Sequence, residues 1–349
     1  MTTTDGGLNH MLTDMEAAPD LYKPTNFWNS GLESIVKDIE AEGLENFRTH
    51  PSAAFFYVPV YASNTLRKYG KYLLPVVDRM RPRKRAKAMV RLTRSDRARL
   101  DYRILRATSV AGGLDIDSVS ESDAGGGERF EFDGKSYSRS MLNYMRALNL
   151  LKKTVDTSGI RSVLEIGGGY GTLGEILLKA RPEDSIYVNV DIPPVAAVST
   201  YYLQQVFGAD QVLTYTDSRE MEEIDLEALK GRYKAVVLCP WQLPKLKGAF
   251  DLFANFMSFQ EMEPDVVANY ISLVAPLTAA HVLTRNTAVG KKIAQKAGDI
   301  GVFQQVTTGF IADQFHGFET LAADAFVYGE MNDTGSYVSQ VLVLGRQGA

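Results

Sequence analysis

Beyond residue 160 the chain alternates short apolar runs with longer segments whose apolar positions recur at helical spacing. Ser162–Ile166 reads as a strand, Thr172–Ala180 as a helix, Ser185–Val190 as a second strand and Pro194–Phe207 as a second helix. Further strands are expected at Ala235–Cys239, Phe250–Ala254, His281–Arg285 and Val338–Leu344. Strands and helices in this alternation form a mostly parallel sheet covered on both faces, so the predicted fold class is α/β, a Rossmann-like doubly wound sheet. Just upstream, Ser138–Lys153 places Met141, Leu142, Met145, Leu148 and Leu151 on one face of a helix expected to dock on that sheet.

The N-terminal third reads differently. Residues 1–25 are polar with little periodicity and are expected to form a flexible leader. Phe27, Trp28, Leu32, Ile35 and Val36 then recur at helical spacing as far as Lys37. Phe55–Tyr61 is aromatic and extended in character, because Pro59 is excluded from a helix interior; it is expected to pack on the core or line a pocket. Leu66–Leu105 reads as helices interrupted near Pro75 and Pro82, and the glycines at 112–113 and 125–127 mark loops. The expected organisation is a leader (1–25), a mainly helical N-terminal extension covering the cleft (26–135) and an α/β domain (136–349).

Of the 349 residues, 45% are hydrophobic and 23% charged, a balance that excludes wholesale disorder. No apolar run approaches the ~20 residues that span a bilayer, and the start lacks a signal-peptide pattern, so no membrane insertion and a cytoplasmic location are expected. Cys239 stands alone, and with His10, His50, His281 and His316 it forms no zinc pattern; no residue is assigned to a metal, and a divalent metal is left open without support. The net charge of −4 hides an asymmetry, since Arg67–Arg106 holds 15 Lys/Arg against 3 Asp/Glu. Such a stripe suits either a solvated helical face or an anionic partner. Oligomeric state is not set by the sequence, and a homo-oligomer is compatible with it.

Val163-Leu164-Glu165-Ile166 runs directly into Gly167-Gly168-Gly169-Tyr170-Gly171. Glycines between a strand and a helix let the backbone approach a ligand where a Cβ would collide. The spacing also resembles a dinucleotide fingerprint, in which the helix N-terminus receives a pyrophosphate. Glu165 favours a different ligand: a carboxylate at this turn attracts, directly or indirectly, the cationic methionine end of S-adenosylmethionine and repels a pyrophosphate. Gly-x-Gly-x-Gly with an acidic residue two positions earlier resembles the pattern of class I S-adenosylmethionine-dependent methyltransferases. Asp191, ending the second strand before Ile192, is placed to accept both ribose hydroxyls of either cofactor.

A closer resemblance rests on Pro240-Trp241-Gln242-Leu243-Pro244-Lys245-Leu246 and on Asp251 to Met262, which ends in Ser258-Phe259-Gln260-Glu261-Met262. With Gly43-Leu44-Glu45-Asn46-Phe47-Arg48 and Asp191-Ile192-Pro193, these segments resemble the bacterial sugar O-methyltransferase family over most of the chain beyond the leader. The resemblance implies methyl transfer to a hydroxyl of a sugar or glycan, and extends to a methylated mannose polysaccharide of the mycobacterial kind as acceptor. A small phenolic or polyketide hydroxyl is the alternative, because Asp-Ile/Leu-Pro after the second strand also occurs in phenolic O-methyltransferases. A nucleic-acid acceptor is disfavoured, since the Asn/Asp-Pro-Pro-Tyr/Phe segment of base-amine methylation is absent.

A sugar hydroxyl is a poor nucleophile and needs a base. Glu261, in the loop after the fourth strand, is the first candidate, although Ser258 to Glu261 also has the form of a capping box. His316 and His50 follow, because imidazole suits base work near neutrality. Ser258 and Gln260 are candidates to orient the acceptor, and Asn255 is placed with the cofactor set. For the adenine, Trp241 and Gln242 compete with Asp217-Ser218, and Tyr137 is a candidate for the methionine carboxylate or for packing.

Overall fold

The computed structural model describes residues 7–61, 97–332 and 335–348. Eight strands form one sheet: β1 (Ser162–Ile166), β2 (Ile186–Val190), β3 (Val212–Leu213), β4 (Ala235–Leu238), β5 (Phe250–Phe256), β6 (Thr278–Thr287), β7 (Phe318–Asn332) and β8 (Gly335–Arg346). Their order is β7-β8-β6-β5-β1-β2-β4-β3. The six strands from β6 to β3 in that order run parallel, while β8 is antiparallel to β6 and β7 to β8. Strands β1, β2 and β4 are buried along their whole length, as strands covered on both faces must be.

Two layers of helices supply that cover. On one face lie α3 (Arg139–Thr154), α4 (Thr172–Ala180) and α5 (Pro193–Phe207), with α1 (Leu8–Ala17) and α2 (Leu32–Glu42) packed against α5. On the other lie α6 (Pro264–Leu277) and α7 (Thr308–Gln314). Local chemistry fixes the starts. The Ser138 hydroxyl accepts from Met141 N at 3.1 Å and caps α3, and Pro193-Pro194 open α5, where an amide would lack a partner anyway. The doubly wound α/β expectation is borne out, and the third parallel strand on the β2 side is β4, flanked by the two-residue edge strand β3.

Three expectations need correction. The leader is not wholly unstructured: from residue 7 it forms α1, which buries Leu8 and Met11, and Asp14 accepts from Tyr215 Oη at 2.5 Å and Arg219 at 3.0 Å. The apolar face of α1 is narrow, so its period is faint in the sequence. The helix expected over Phe27 to Lys37 breaks into Asn26–Asn29 and α2, because Gly31 lies against the Phe56 ring with no room for a Cβ. Strand β7 has no counterpart among the expected strands; its first residues include exposed Glu319, Leu321 and Asp324, so no apolar run announces it. Most of the Lys/Arg-rich stretch, residues 67–96, lies outside the described residues. Its remainder falls in a helix over 97–108 that buries Ala98, Tyr102 and Leu105 and leaves Arg99, Arg103 and Arg106 exposed.

Candidate functional site

A cavity of about 350 Å³ opens at the carboxyl ends of β1, β2, β5 and β6. Chain order reverses across the sheet between β1 and β5, and open α/β folds bind ligands at such a switch point. The volume is that of a small-molecule site. The glycine turn, Asp191, Ile192, Met257, Ser258 and Glu261 form its floor, α3 gives Arg139, Ser140, Asn143 and Tyr144, and the N-terminal segments 23–28 and 54–60 contribute a roof.

The turn glycines have different reasons to be glycine. Gly167 (φ 70°) abuts the Ser258 side chain, and a Cβ on Gly168 would strike the Glu165 carboxylate, the Tyr187 hydroxyl and Asn189. At Gly169 (φ 60°) the nearest atom to an added Cβ is Tyr57 O at 3.8 Å, so its backbone faces the cavity itself. Gly171 (φ 100°) opens α4 against Leu203 and does not line the cavity.

Asp191 locks this turn: its Oδ2 accepts from Gly169 N at 2.9 Å and its Oδ1 from Ile192 N at 2.8 Å. A carboxylate has about four lone-pair sites, so two remain for a ligand. Burial pushes the Asp191 carboxyl up to about 8, against the pull of those two amides. Glu165 lies beneath the turn, fully buried, and accepts from Tyr144 Oη at 2.9 Å and Tyr187 Oη at 2.5 Å. Burial raises it to about 7. It does not line the cavity; its influence there passes through Tyr144, which does.

Glu261 lines the cavity with 8% of its surface exposed and meets Lys291 Nζ at 2.5 Å. Burial raises its carboxyl, opposed by the lysine. Lys291 in turn lies 4.2 Å from the centroid of the Phe27 ring. The capping box is not formed: Ser258 makes no side-chain cap bond, and residues 259–261 make only a 3-10 turn. Met257, at the cavity with φ 64°, holds a left-handed conformation that a non-glycine residue adopts only under constraint.

Several expected site residues lie elsewhere. Asn255 donates to Ile166 O at 2.9 Å and accepts from Asn286 at 3.0 Å, and Gln260 Oε1 accepts from Thr287 N at 2.6 Å; both amides stitch strand ends together behind the cavity wall. Trp241 Nε1 donates to Tyr215 Oη at 3.0 Å with the two rings edge to face, and Gln242 joins Cys239 N to Ser218 Oγ. Thr214 and Asp217 form a capping box, and neither adenine candidate reaches the cavity; Pro240 beside Trp241 does. Tyr137 packs with Tyr102 and Phe132. His50 is fully buried outside the cavity wall, with neither ring nitrogen hydrogen-bonded among the described residues, and His316 is exposed after α7.

The cavity adds residues the sequence reading did not single out: Arg139, Asn143, Tyr144, Arg285 and Lys291. Asn143 is 5% exposed and its Oδ1 has no hydrogen-bond partner among the described residues. Its spacing from Arg139, four residues along α3 on the side away from the Met145 and Leu148 stripe, is the one sequence signal that could have marked it. Among the described residues no group of three His, Cys, Asp or Glu is arranged to hold a metal, and no helix is long and apolar enough to cross a membrane.

No family profile matches the chain, and no curated protein matches it. Solved structures that it resembles include the mitomycin 7-O-methyltransferase MmcR, at 14% identity over 59% of this chain and 56% of that one, with a TM-score of 0.36. Magnesium protoporphyrin IX methyltransferase ChlM of Synechocystis PCC 6803 with bound SAH gives 13% identity, 75% and 100% coverage and a TM-score of 0.39. TehB from Haemophilus influenzae gives 10%, 61% and 68%, and 0.39. Scores this low leave the functional reading to the cavity itself.

Proposed function

We propose that the chain binds S-adenosylmethionine and transfers its methyl group to a hydroxyl of a sugar or glycan. The observation that carries the cofactor assignment is the 2.9 Å bond from Gly169 N to Asp191, which fixes the one turn position where open cavity replaces a side chain. A ribose diol suits the lone pairs left on Asp191. Arg139 and Asn143, four residues apart on α3, suit the carboxylate and ammonium of the methionine end, and that ammonium would satisfy the unpartnered Asn143 Oδ1.

Bound there, the cofactor supplies a methyl carbon on a cationic sulfur, open to in-line attack. The chain's own work is to align the acceptor oxygen and exclude water, which supplies much of the acceleration. Glu261 takes the hydroxyl proton. Its burial raises its proton affinity and so strengthens it as a base, while the charge and the 2.5 Å contact of Lys291 pull the other way.

The roof residues Trp28, Phe55, Phe56 and Tyr57 line the cavity with aromatic side chains, which suit the apolar side of a sugar. The same rings favour a second reading, a flat phenolic or polyketide acceptor. Calorimetric titration with S-adenosylhomocysteine and with NAD tests the cofactor: the homocysteine compound should bind and NAD should not, and the reverse result ends the proposal. Transfer of a labelled methyl group to glycans but not to phenols then selects the acceptor class.

A further inference from the structure

Eight large apolar side chains stand exposed among the described residues, and four of them, Val289, Ile293, Ile300 and Phe303, fall within the sixteen residues after β6. Val289 is 71% exposed. Scattered exposed apolar residues are ordinary, but half of them in one short segment is a concentration. Two lysines, Lys292 and Lys296, are exposed among them. The one acid in the segment, Asp299, is turned to the backbone amides of Gln295 and Lys296.

The segment is a built lobe. Ile293 bridges to Val302, Ala294 N donates to Val302 O at 2.8 Å and Val302 N to Lys292 O at 3.0 Å. Asn26 clasps it with three bonds of 3.0 Å, to Asp299 O, Gly301 O and Gly298 N. Glu263 accepts from Phe303 N and Gln304 N at 2.9 Å each. Its base is at the cavity, since Lys291 is a wall residue, and Phe55 of the roof is 43% exposed.

We propose that this lobe is a docking surface for an anionic lipid bilayer, which holds the mouth of the cavity at the membrane interface. Apolar side chains interleaved with lysine are what an interfacial segment needs: the former enter the headgroup boundary and the latter meet its negative charge. Protein–protein contacts are depleted in lysine and enriched in arginine, methionine and aromatic residues, and of the enriched types the lobe holds Phe303 alone. Attachment is peripheral, and it holds whatever the cavity binds.

The test is co-sedimentation of the full chain with vesicles of phosphatidylcholine alone or mixed with phosphatidylglycerol. Two double variants accompany it, Ile300→Ser with Phe303→Ser and Lys292→Glu with Lys296→Glu. The unaltered chain should bind the mixed vesicles at least about tenfold more tightly than the neutral ones, and each double variant should lose about tenfold or more. Melting temperature and S-adenosylhomocysteine affinity should stay unchanged in both. Absence of binding to mixed vesicles overturns the proposal. So does binding that both variants retain, which would assign it to the Arg67–Arg106 stretch. Dimerisation in solution that the variants abolish would also overturn it, by giving the lobe to a second copy. Failure to bind S-adenosylhomocysteine with vesicle binding intact would remove the methyl-transfer reading and leave this one standing.

Discussion

Three carboxylates at the strand ends sit in different electrical settings, and two of them make separate predictions. Glu261 faces the cavity beside Lys291, so Glu261→Gln should lower kcat by about 10² to 10⁴-fold while S-adenosylhomocysteine affinity holds. Equal turnover would remove Glu261 as the base. Glu165 is raised to about 7 by burial, so the native state keeps a proton that the unfolded chain releases from about 4.5. Its contribution to stability is therefore complete below about pH 4.5 and is lost as pH rises through about 7. Glu165→Gln removes that loss: one of the Tyr144 and Tyr187 hydroxyls can turn to accept from the new NH₂ while the other still donates to the amide oxygen. Without ligand, the variant should melt with a flatter pH profile, the difference reaching up to about 3 kcal/mol by pH 8. Asp191 keeps the same sign of dependence in both proteins. Two glycines separate ligand space from packing space. Gly169→Ala should cost only about 1 kcal/mol of stability, from its positive φ, yet weaken S-adenosylhomocysteine binding at least about tenfold. Gly174→Ala should lower stability by about 1 to 3 kcal/mol, because its Cβ would strike the Tyr187 ring. Calorimetry and thermal melts on both variants distinguish the two roles.

Between elements, the N-terminal region is tied to the glycine turn by Arg48. Its guanidinium lies 2.8 Å from Glu121 with both side chains buried, and over the rings of Tyr170 and Tyr202 at 4.6 and 4.9 Å. Tyr170 belongs to the glycine turn, and Tyr202 of α5 donates to Glu175 of α4. Breaking a buried pair on one side leaves a charge without a partner, so Arg48→Met should destabilise the fold by about 3 to 5 kcal/mol. Adding Glu121→Gln should recover part of that loss, and a double-mutant cycle by denaturant titration measures it. Neither Arg48 nor Glu121 announced this partnership in the sequence. They lie 73 positions apart, and each taken alone reads as a surface charge. The parallel strands and their helices were legible because each carries its own period: β1, α4 and β2 fall within a residue of their expected ends. Strand β7 was not, since a strand in a terminal hairpin with exposed polar positions has no run of apolar residues to mark it.

For the molecule as a whole, legibility divides along the cavity. Its floor comes from the ends of strands, where glycine, acid and turn follow one another in the chain, and Gly167, Gly169, Asp191, Ser258 and Glu261 were readable there. Its roof comes from 23–28 and 54–60, brought over the site by contacts between residues hundreds of positions apart. Thr25 Oγ1 donates to Glu261 O at 2.8 Å, and the Asn26 side chain reaches residues 298, 299 and 301. No local pattern encodes such a clasp. Asn26→Ala removes three of its hydrogen bonds without touching the floor, at an ordinary worth of about 0.5 to 1.5 kcal/mol each. Local opening should then become easier than global unfolding in just these segments. Backbone hydrogen exchange over 23–28 and 295–304 should quicken by about tenfold or more, while exchange in β1 and β2 stays as it was. Affinity for S-adenosylhomocysteine should change by less than about threefold, because Asp191 and the glycine turn keep their geometry. Unchanged exchange over the roof would mean that Trp28 and Phe27, packed on Phe56, hold it closed by burial alone.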